Sequence, residues 1–271
     1  TRSREENVAS WRRAAAGETR LLYMAPERLM TERMLTALAK LDIRLFAVDE
    51  AHCISQWGPA FRPEYEKLSQ LRTIFPGIPI AALTATADAV TRADIVTRLF
   101  DGDATSVVLG FDRPNIKLSV EMKQEWKRQM VDVLARHKGE SGIVYCLSRK
   151  KTEEAAQHLR DHGVDALAYH AGMEAGIRQS HQNAFMTDPG IVIVATIAFG
   201  MGIDKSDVRF VLHVDLPGSV EAYYQEIGRA GRDGTAAEAH MIYGLQDIRM
   251  RRMFIEDEAS GSDRKRREHK R

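Results

Sequence analysis

The sequence is poor in cysteine, in aromatic residues and in long apolar runs. Its two cysteines, Cys53 and Cys146, are too few for a disulfide framework or a cysteine-rich zinc site, and both stand in apolar stretches that suit buried, reduced thiols. No apolar run reaches the roughly 20 residues that cross a bilayer, and no basic segment precedes a greasy stretch with a cleavage site. A cytoplasmic or nuclear setting is therefore expected. No Gly-Lys pair occurs, which excludes a phosphate-cradling loop of the Gly-Lys-Ser/Thr type from these residues. A global positive field is absent too. Residues 248–271 carry nine Lys/Arg against five Asp/Glu, a net +4 within a total of +1, so the remaining body stands at −3. Any nucleic-acid contact by that body must come from local patches or backbone amides.

What is present is enough for a core: 271 residues, 44% hydrophobic, favour two compact units over one. Short apolar runs at Arg20–Ala25, Arg44–Asp49, Ile78–Thr84, Gly142–Cys146, Ala166–Tyr169, Ile191–Thr196 and Val208–Val214 predict strands. Between them Pro63–Phe75, Asp88–Phe100, Lys150–His162 and Val220–Ile227 show the three-and-four spacing of helices. This alternation predicts an α/β protein with parallel sheets flanked by helices, whose ligands sit outside the carboxyl ends of the strands. A turn-rich seam at residues 110–115 divides the pattern, giving expected domains at 1–110 and 111–247 and a charged helical start at 248–271. The chain begins at Thr1 rather than Met and stops within the charge run Arg264-Lys265-Arg266-Arg267-Glu268-His269-Lys270-Arg271, so it reads as a piece of a longer protein.

The sharpest chemical signal is Leu45-Phe46-Ala47-Val48-Asp49-Glu50-Ala51-His52, an apolar strand ending in two carboxylates and a histidine. Charge loaded on a buried strand tip is costly unless it works, and a magnesium-nucleotide is the usual reason in α/β nucleotide hydrolases. Asp49 then suits Mg²⁺ through its water shell, and Glu50 suits the attacking water. A surface turn is the plain alternative; a helical two-histidine zinc site fails on spacing. Ile80-Ala81-Ala82-Leu83-Thr84-Ala85-Thr86-Ala87 brings two hydroxyls to the same sheet edge. In Gln225-Glu226-Ile227-Gly228-Arg229-Ala230-Gly231-Arg232, two arginines stand three apart, which on a helix places both on one face. Alone, such a pair is more often a surface salt-bridge partner than a catalytic group.

Together these runs resemble motifs II, III and VI of superfamily 2 helicases, and the text around them is similar to the RecQ family. Tyr23 to Leu29 resembles its motif Ib, and Cys53 to Tyr65 its aromatic-rich loop. Phe111–Asn115, Val144–Lys151, Tyr169–Glu174 and Ala195–Arg209 continue the order through motifs IV and V, so that the likeness runs to about Tyr243. The resemblance implies two RecA-like lobes with ATP in the cleft, single-stranded DNA across their tops and 3′ to 5′ unwinding at duplex junctions, in repair, recombination or replication. It makes His52 part of the catalytic box, Arg232 the arginine finger, Arg229 a phosphate contact and Gln225 a link between nucleotide and DNA. Gly202 lets backbone approach the nucleotide closely, and Asp204 reaches ribose or a lobe contact. Pro26, Arg28, Gln56, Trp57, Phe61, Arg62, Thr84, Thr86, Ser148, Arg149, His170 and Thr196 become DNA-binding or coupling residues. Rings and a guanidinium stack on unpaired bases without reading sequence, as a translocase requires.

The match departs in places. The phosphate loop and adenine-reading segment that the family carries before motif Ib are not in these residues, and its zinc-binding and winged-helix regions are expected only after about Asp247. The chain alone is accordingly expected to be inactive in hydrolysis. Pro59-Ala60 stand where the family commonly has His-Asp, and Asp204 and Ser206 where Asn and Pro are more usual. Two other readings stay open: another superfamily 2 motor such as an RNA helicase, which lacks the Gln56–Tyr65 loop, and a non-catalytic nucleic-acid-binding remnant.

Overall fold

In a computed structural model, residues 4–55, 62–110, 112–200, 203–250 and 252–253 are described. The chain divides into two units, residues 1–109 and 110–271.

The first unit contains α1 (Arg4–Ala15), α2 (Pro26–Leu29), α3 (Glu32–Leu38), β1 (Phe46–Val48), a 3₁₀ turn (Ala51–Ile54), α4 (Pro63–Glu66), a second 3₁₀ turn (Lys67–Gln70), α5 (Leu71–Ile74), β2 (Ile80–Ala82) and α6 (Ala89–Phe100). β1 and β2 pair in parallel, Phe46 opposite Ile80 and Val48 opposite Ala82. Leu38, Val48, Ala51, Ile54, Leu68, Leu71, Phe75, Ile95 and Leu99 form its core. Asp88 caps α6 by accepting from the Thr91 amide at 2.7 Å, and Asp101 ends it in the left-handed conformation.

Two expectations change here. Arg20–Ala25 is not a strand: it has no ladder partner among the described residues, and Leu21 and Tyr23 are 73% and 90% exposed. The expected helix at Pro63–Phe75 keeps a right-handed path but tightens to 3₁₀ bonding at Lys67–Gln70, splitting it into α4 and α5.

The second unit runs β3 (Ile116–Met122), α7 (Trp126–Ala135), β4 (Ser141–Tyr145), α8 (Arg149–Asp161), β5 (Ala166–Tyr169), α9 (Ala175–Thr187), β6 (Val192–Ala195), β7 (Val208–His213), α10 (Val220–Ile227) and β8 (Ala237–Tyr243). Among the described residues its sheet has six strands, all parallel, in the order β3-β8-β7-β4-β6-β5. β4 is buried along its whole length because both faces of the sheet are covered. On one face Val144, Val194, Leu212 and Ile242 meet Met130 and Val133 of α7 and Ala155 and Leu159 of α8. On the other, Ile143, Ile193, Ala195, Val211 and Ala239 pack with Phe185 of α9 and Ile227 of α10.

Neither β3 nor β8 was expected as a strand. β8 carries Glu238 and His240 inward, where Ser119, Arg136 and His137 bond Glu238 and Ser119 bonds His240 Nδ1, while His240 Nε2 has no hydrogen-bond partner among the described residues. β3 is an edge strand with Leu118, Val120 and Met122 more than half exposed. Paired polar groups inside and apolar groups outside invert the usual signal.

Candidate nucleotide and nucleic-acid sites

In the first unit, the parallel ladder delivers the two chemical runs side by side. Leu83 N donates to Val48 O at 2.8 Å and Ala51 N to Leu83 O at 2.9 Å, which sets the carboxylates directly beside Thr84. Asp49 is exposed; its Oδ1 accepts the Glu50 amide at 2.8 Å, and Oδ2 has no partner among the described residues. Glu50 adopts φ 50°, ψ 42°, a left-handed conformation that costs a non-glycine residue about 1–2 kcal/mol. Strain of this kind collects at functional sites. Glu50 Oε2 lies 3.4 Å from His52 Nδ1, and His52 Nδ1 lies 2.9 Å from Thr84 Oγ1. Thr84 donates to Thr86 O and accepts from Thr86 N, both at 3.2 Å. Glu50, His52, Thr84 and Thr86 therefore form one connected polar chain.

Around it, burial pushes the Cys53 thiol up, Arg62 pulls it down and Glu50 raises it. The Tyr65 hydroxyl is raised first by burial and then by neighbouring negative groups that include Glu50 and Asp49. Arg62 is exposed, and its amide donates to Cys53 O at 2.9 Å. Gln56, Trp57 and Phe61 lie outside the described residues, as does Gly202. Pro26 opens the four-residue α2 after Ala25, with no side-chain cap; Arg28 is exposed and reaches Asn7 Oδ1 at 3.4 Å.

In the second unit the arginines are not on a helix. α10 stops at Ile227; Arg229 and Arg232 stand on the turn that follows, where Gly231 has φ +56°. The spacing of three thus does not place them on one helical face. Arg229 is half-buried and its Nε has no partner among the described residues. Its Nη2 would lie 3.1 Å from a Cβ on Gly200, so the glycine makes room for it. The Tyr145 hydroxyl donates to Phe199 O at 2.9 Å; burial pushes it up and Arg229 pulls it down. Arg232 Nη1 is 2.5 Å from Asp204 Oδ1, bringing together two residues expected at the nucleotide. Gln225 is exposed on α10.

Other expected DNA contacts have local partners. Ser148 caps α8, accepting from Lys151 N at 3.2 Å. His170 is buried and its Nε2 is 2.9 Å from Glu153 Oε1. Arg149 is exposed, its guanidinium packed where a Cβ on Gly172 would be. Thr196 Oγ1 accepts from Ala198 N at 3.4 Å.

Sequence reasoning gave no role to Arg113 or Asn115, whose side chains grip the arginine turn, nor to the buried pair His213–Glu226 at 2.7 Å beneath it. Arg113 and Asn115 stood within a quoted motif, but their partners lie more than 100 residues away.

Comparison with known proteins accords with this geometry. Residues 2–95 match the DEAD/DEAH box helicase family and residues 123–234 the helicase conserved C-terminal domain. The ATP-dependent DNA helicase RecQ of Haemophilus influenzae is 47% identical over 255 residues, covering 94% of this chain and 41% of the relative. That of Pasteurella multocida is 50% identical over 232 residues, covering 86% and 37%. Among solved structures, Mycobacterium smegmatis helicase Lhr bound to ssDNA and AMP-PNP aligns with TM-score 0.65 at 20% identity, over 90% of this chain and 33% of that one, a likeness of fold. The first unit thus carries the DEAD/DEAH box helicase match and the second the helicase C-terminal domain match. Within that class, the chain belongs to the RecQ family of ATP-dependent DNA helicases. It spans about two fifths of the length of these curated relatives.

Proposed function

We propose that this chain forms part of the motor of a RecQ-type, ATP-dependent 3′ to 5′ DNA helicase that translocates on single-stranded DNA at duplex junctions, serving repair or recombination in the cytoplasm or nucleus. The observation that carries this reading is the polar cluster in which strained Glu50 lies 3.4 Å from His52 Nδ1, which is hydrogen-bonded to Thr84 and through it to Thr86, since it sets a hydrolytic carboxylate against a second loop of the same unit.

Asp49 fits the single carboxylate that a water-rich Mg²⁺ site takes, because one of its oxygens is held and the other is unpartnered among the described residues. Mg²⁺ bound with ATP supplies charge neutralisation on the phosphates. Glu50 orients and polarises the attacking water, with His52 fixing the carboxylate. Arg232 stabilises the charge that develops on the transferred phosphoryl group, and Arg229 holds phosphate. Trp57, Phe61 and Arg62 engage unpaired bases, as Pro26, Arg28 and Arg149 engage the backbone. With no Gly-Lys pair in the 271 residues, hydrolysis needs a phosphate loop supplied from outside them. The zinc region implied by the resemblance would lie beyond Asp247.

The test joins this chain to the N-terminal segment of the Haemophilus influenzae relative. The chimaera should be a DNA-stimulated ATPase. Glu50→Gln in it should keep nucleotide binding and lose turnover, because an amide cannot polarise water. Turnover within a few-fold of the parent would remove Glu50 from the role.

A further inference from the structure

The turn that carries Arg229 and Arg232 is held from the other end of its unit. Arg113 Nη2 donates to Ala230 O and Gly231 O, each at 3.0 Å, and Nη1 to Gly228 O at 3.4 Å. Asn115 Nδ2 donates to Gly231 O at 2.8 Å and Thr235 O at 3.0 Å, while its own carbonyl accepts from Ala237 N at 2.8 Å. Arg113 Nε is 3.5 Å from Asn115 Oδ1, so the two side chains brace each other.

The chemistry explains why these residue types stand here. Carbonyls just past a helix end have no helical partner, and three of them here face one guanidinium. Arginine alone offers several N–H groups in a planar fork that can satisfy diverging carbonyls at once; lysine offers a point charge. The fit is close: a Cβ on Gly231 would lie 2.5 Å from Asn115 Nδ2 and 2.8 Å from Thr235 O. The bonded carbonyls at 228, 230 and 231 bracket Arg229 and immediately precede Arg232.

We propose that Arg113 and Asn115 are positioning residues for hydrolysis: they fix the backbone from which the two arginines reach phosphate, and they tie its position to the segment through which the chain enters the second unit. This rests on the reading of Arg229 and Arg232 as phosphate-contacting groups. A misplacement of about 1 Å at a catalytic group can cost on the order of 100-fold in rate without loss of ground-state binding.

The experiment uses the chimaeric ATPase, with Arg113→Lys as the conservative variant and Asn115→Ala as the second. Each should lower kcat by about 10- to 100-fold while KM for ATP stays within about threefold. Combined with Arg232→Ala, Arg113→Lys should cost little more than Arg232→Ala alone, since groups acting as one unit are not additive. In the 271-residue chain, Arg113→Lys should speed amide exchange in 228–237 and leave β4 and β6 protected. A normal kcat in both variants beside a crippled Arg232→Ala overturns the proposal alone, as do fully additive losses. A normal kcat in Arg232→Ala overturns the arginine reading, and this proposal with it.

Discussion

Arg232 Nη1 meets Asp204 Oδ1 at 2.5 Å, joining the arginine turn to the loop that follows β6. The carboxylate is 83% exposed and the guanidinium 34%, so water and salt screen the pair strongly. An arginine held by a carboxylate must leave it to meet phosphate. Asp204→Asn in the chimaera should therefore raise kcat at low salt by about fivefold at most, and the gain should vanish as ionic strength rises. A fall in kcat would mean that Asp204 aims Arg232 rather than detains it.

A buried charge cluster carries the second prediction. Asp215 Oδ1 accepts from Lys123 Nζ at 2.9 Å and Lys151 Nζ at 2.6 Å, and its Oδ2 accepts the Leu147 amide at 3.0 Å. Lys123 also reaches Asp247 at 2.7 Å, and Lys151 lies over the Trp126 ring. These bonds join the carboxyl ends of β3, β4 and β7 to α8. Burial alone would raise the Asp215 carboxyl, but Lys151, the Leu147 amide and Lys123 outweigh it and hold it below the ordinary 3.8. A depressed carboxylate contributes stability that is fully present above the unfolded-state value and is lost as pH falls through the folded one. Thermal unfolding should thus show a loss of stability below about pH 4. Asp215→Asn should cost about 3–5 kcal/mol at pH 7 by leaving buried ammonium groups short of charge, and it should flatten that acid limb. An unchanged acid slope in Asp215→Asn would assign the limb to other carboxylates.

How much of this was legible depended on where the partners lie. β5 and α10 were read to the residue, because an apolar run or a three-and-four spacing is a local signal. The Asp49–Glu50 tip was legible for the same reason: abrupt charge after Leu45–Val48 is visible in eight letters. The departure of Arg229 and Arg232 from a helix had a local signal in Gly228 and Gly231; what was not legible is Arg113, which binds carbonyls 115 to 118 residues away. β8 was hidden because Glu238 and His240 look like surface residues until Arg136, His137 and Ser119 are seen beside them. His170 was expected at DNA on its motif alone; Glu153, one turn into α8, is the partner the motif does not name.

The aromatic loop carries the last prediction. Trp57 and Phe61 lie outside the described residues; the described residues on either side of that stretch are bonded to one another. Cys53 N donates to Glu50 O and Arg62 N donates to Cys53 O, each at 2.9 Å. Cys53 and Arg62, which flank that stretch, are thus linked by backbone hydrogen bonds to Glu50, which stands in the left-handed conformation. A base stacked on Trp57 would pull on these bonds. In the chimaera, Trp57→Ala should bring the ratio of DNA-stimulated to DNA-free ATPase towards one and abolish strand unwinding. Stacking on an aromatic ring contributes about 1–3 kcal/mol per base, so affinity for single-stranded DNA should fall by roughly two orders of magnitude at most. The ratio should stay low even when DNA is saturating, because the lost element is the mechanical link to Glu50 and not occupancy alone. Recovery of full stimulation at saturating DNA would make Trp57 a binding residue only. An equal loss of stimulated and DNA-free rates would make it a packing residue, and the loop would then no longer distinguish this chain from other superfamily 2 motors in mechanism.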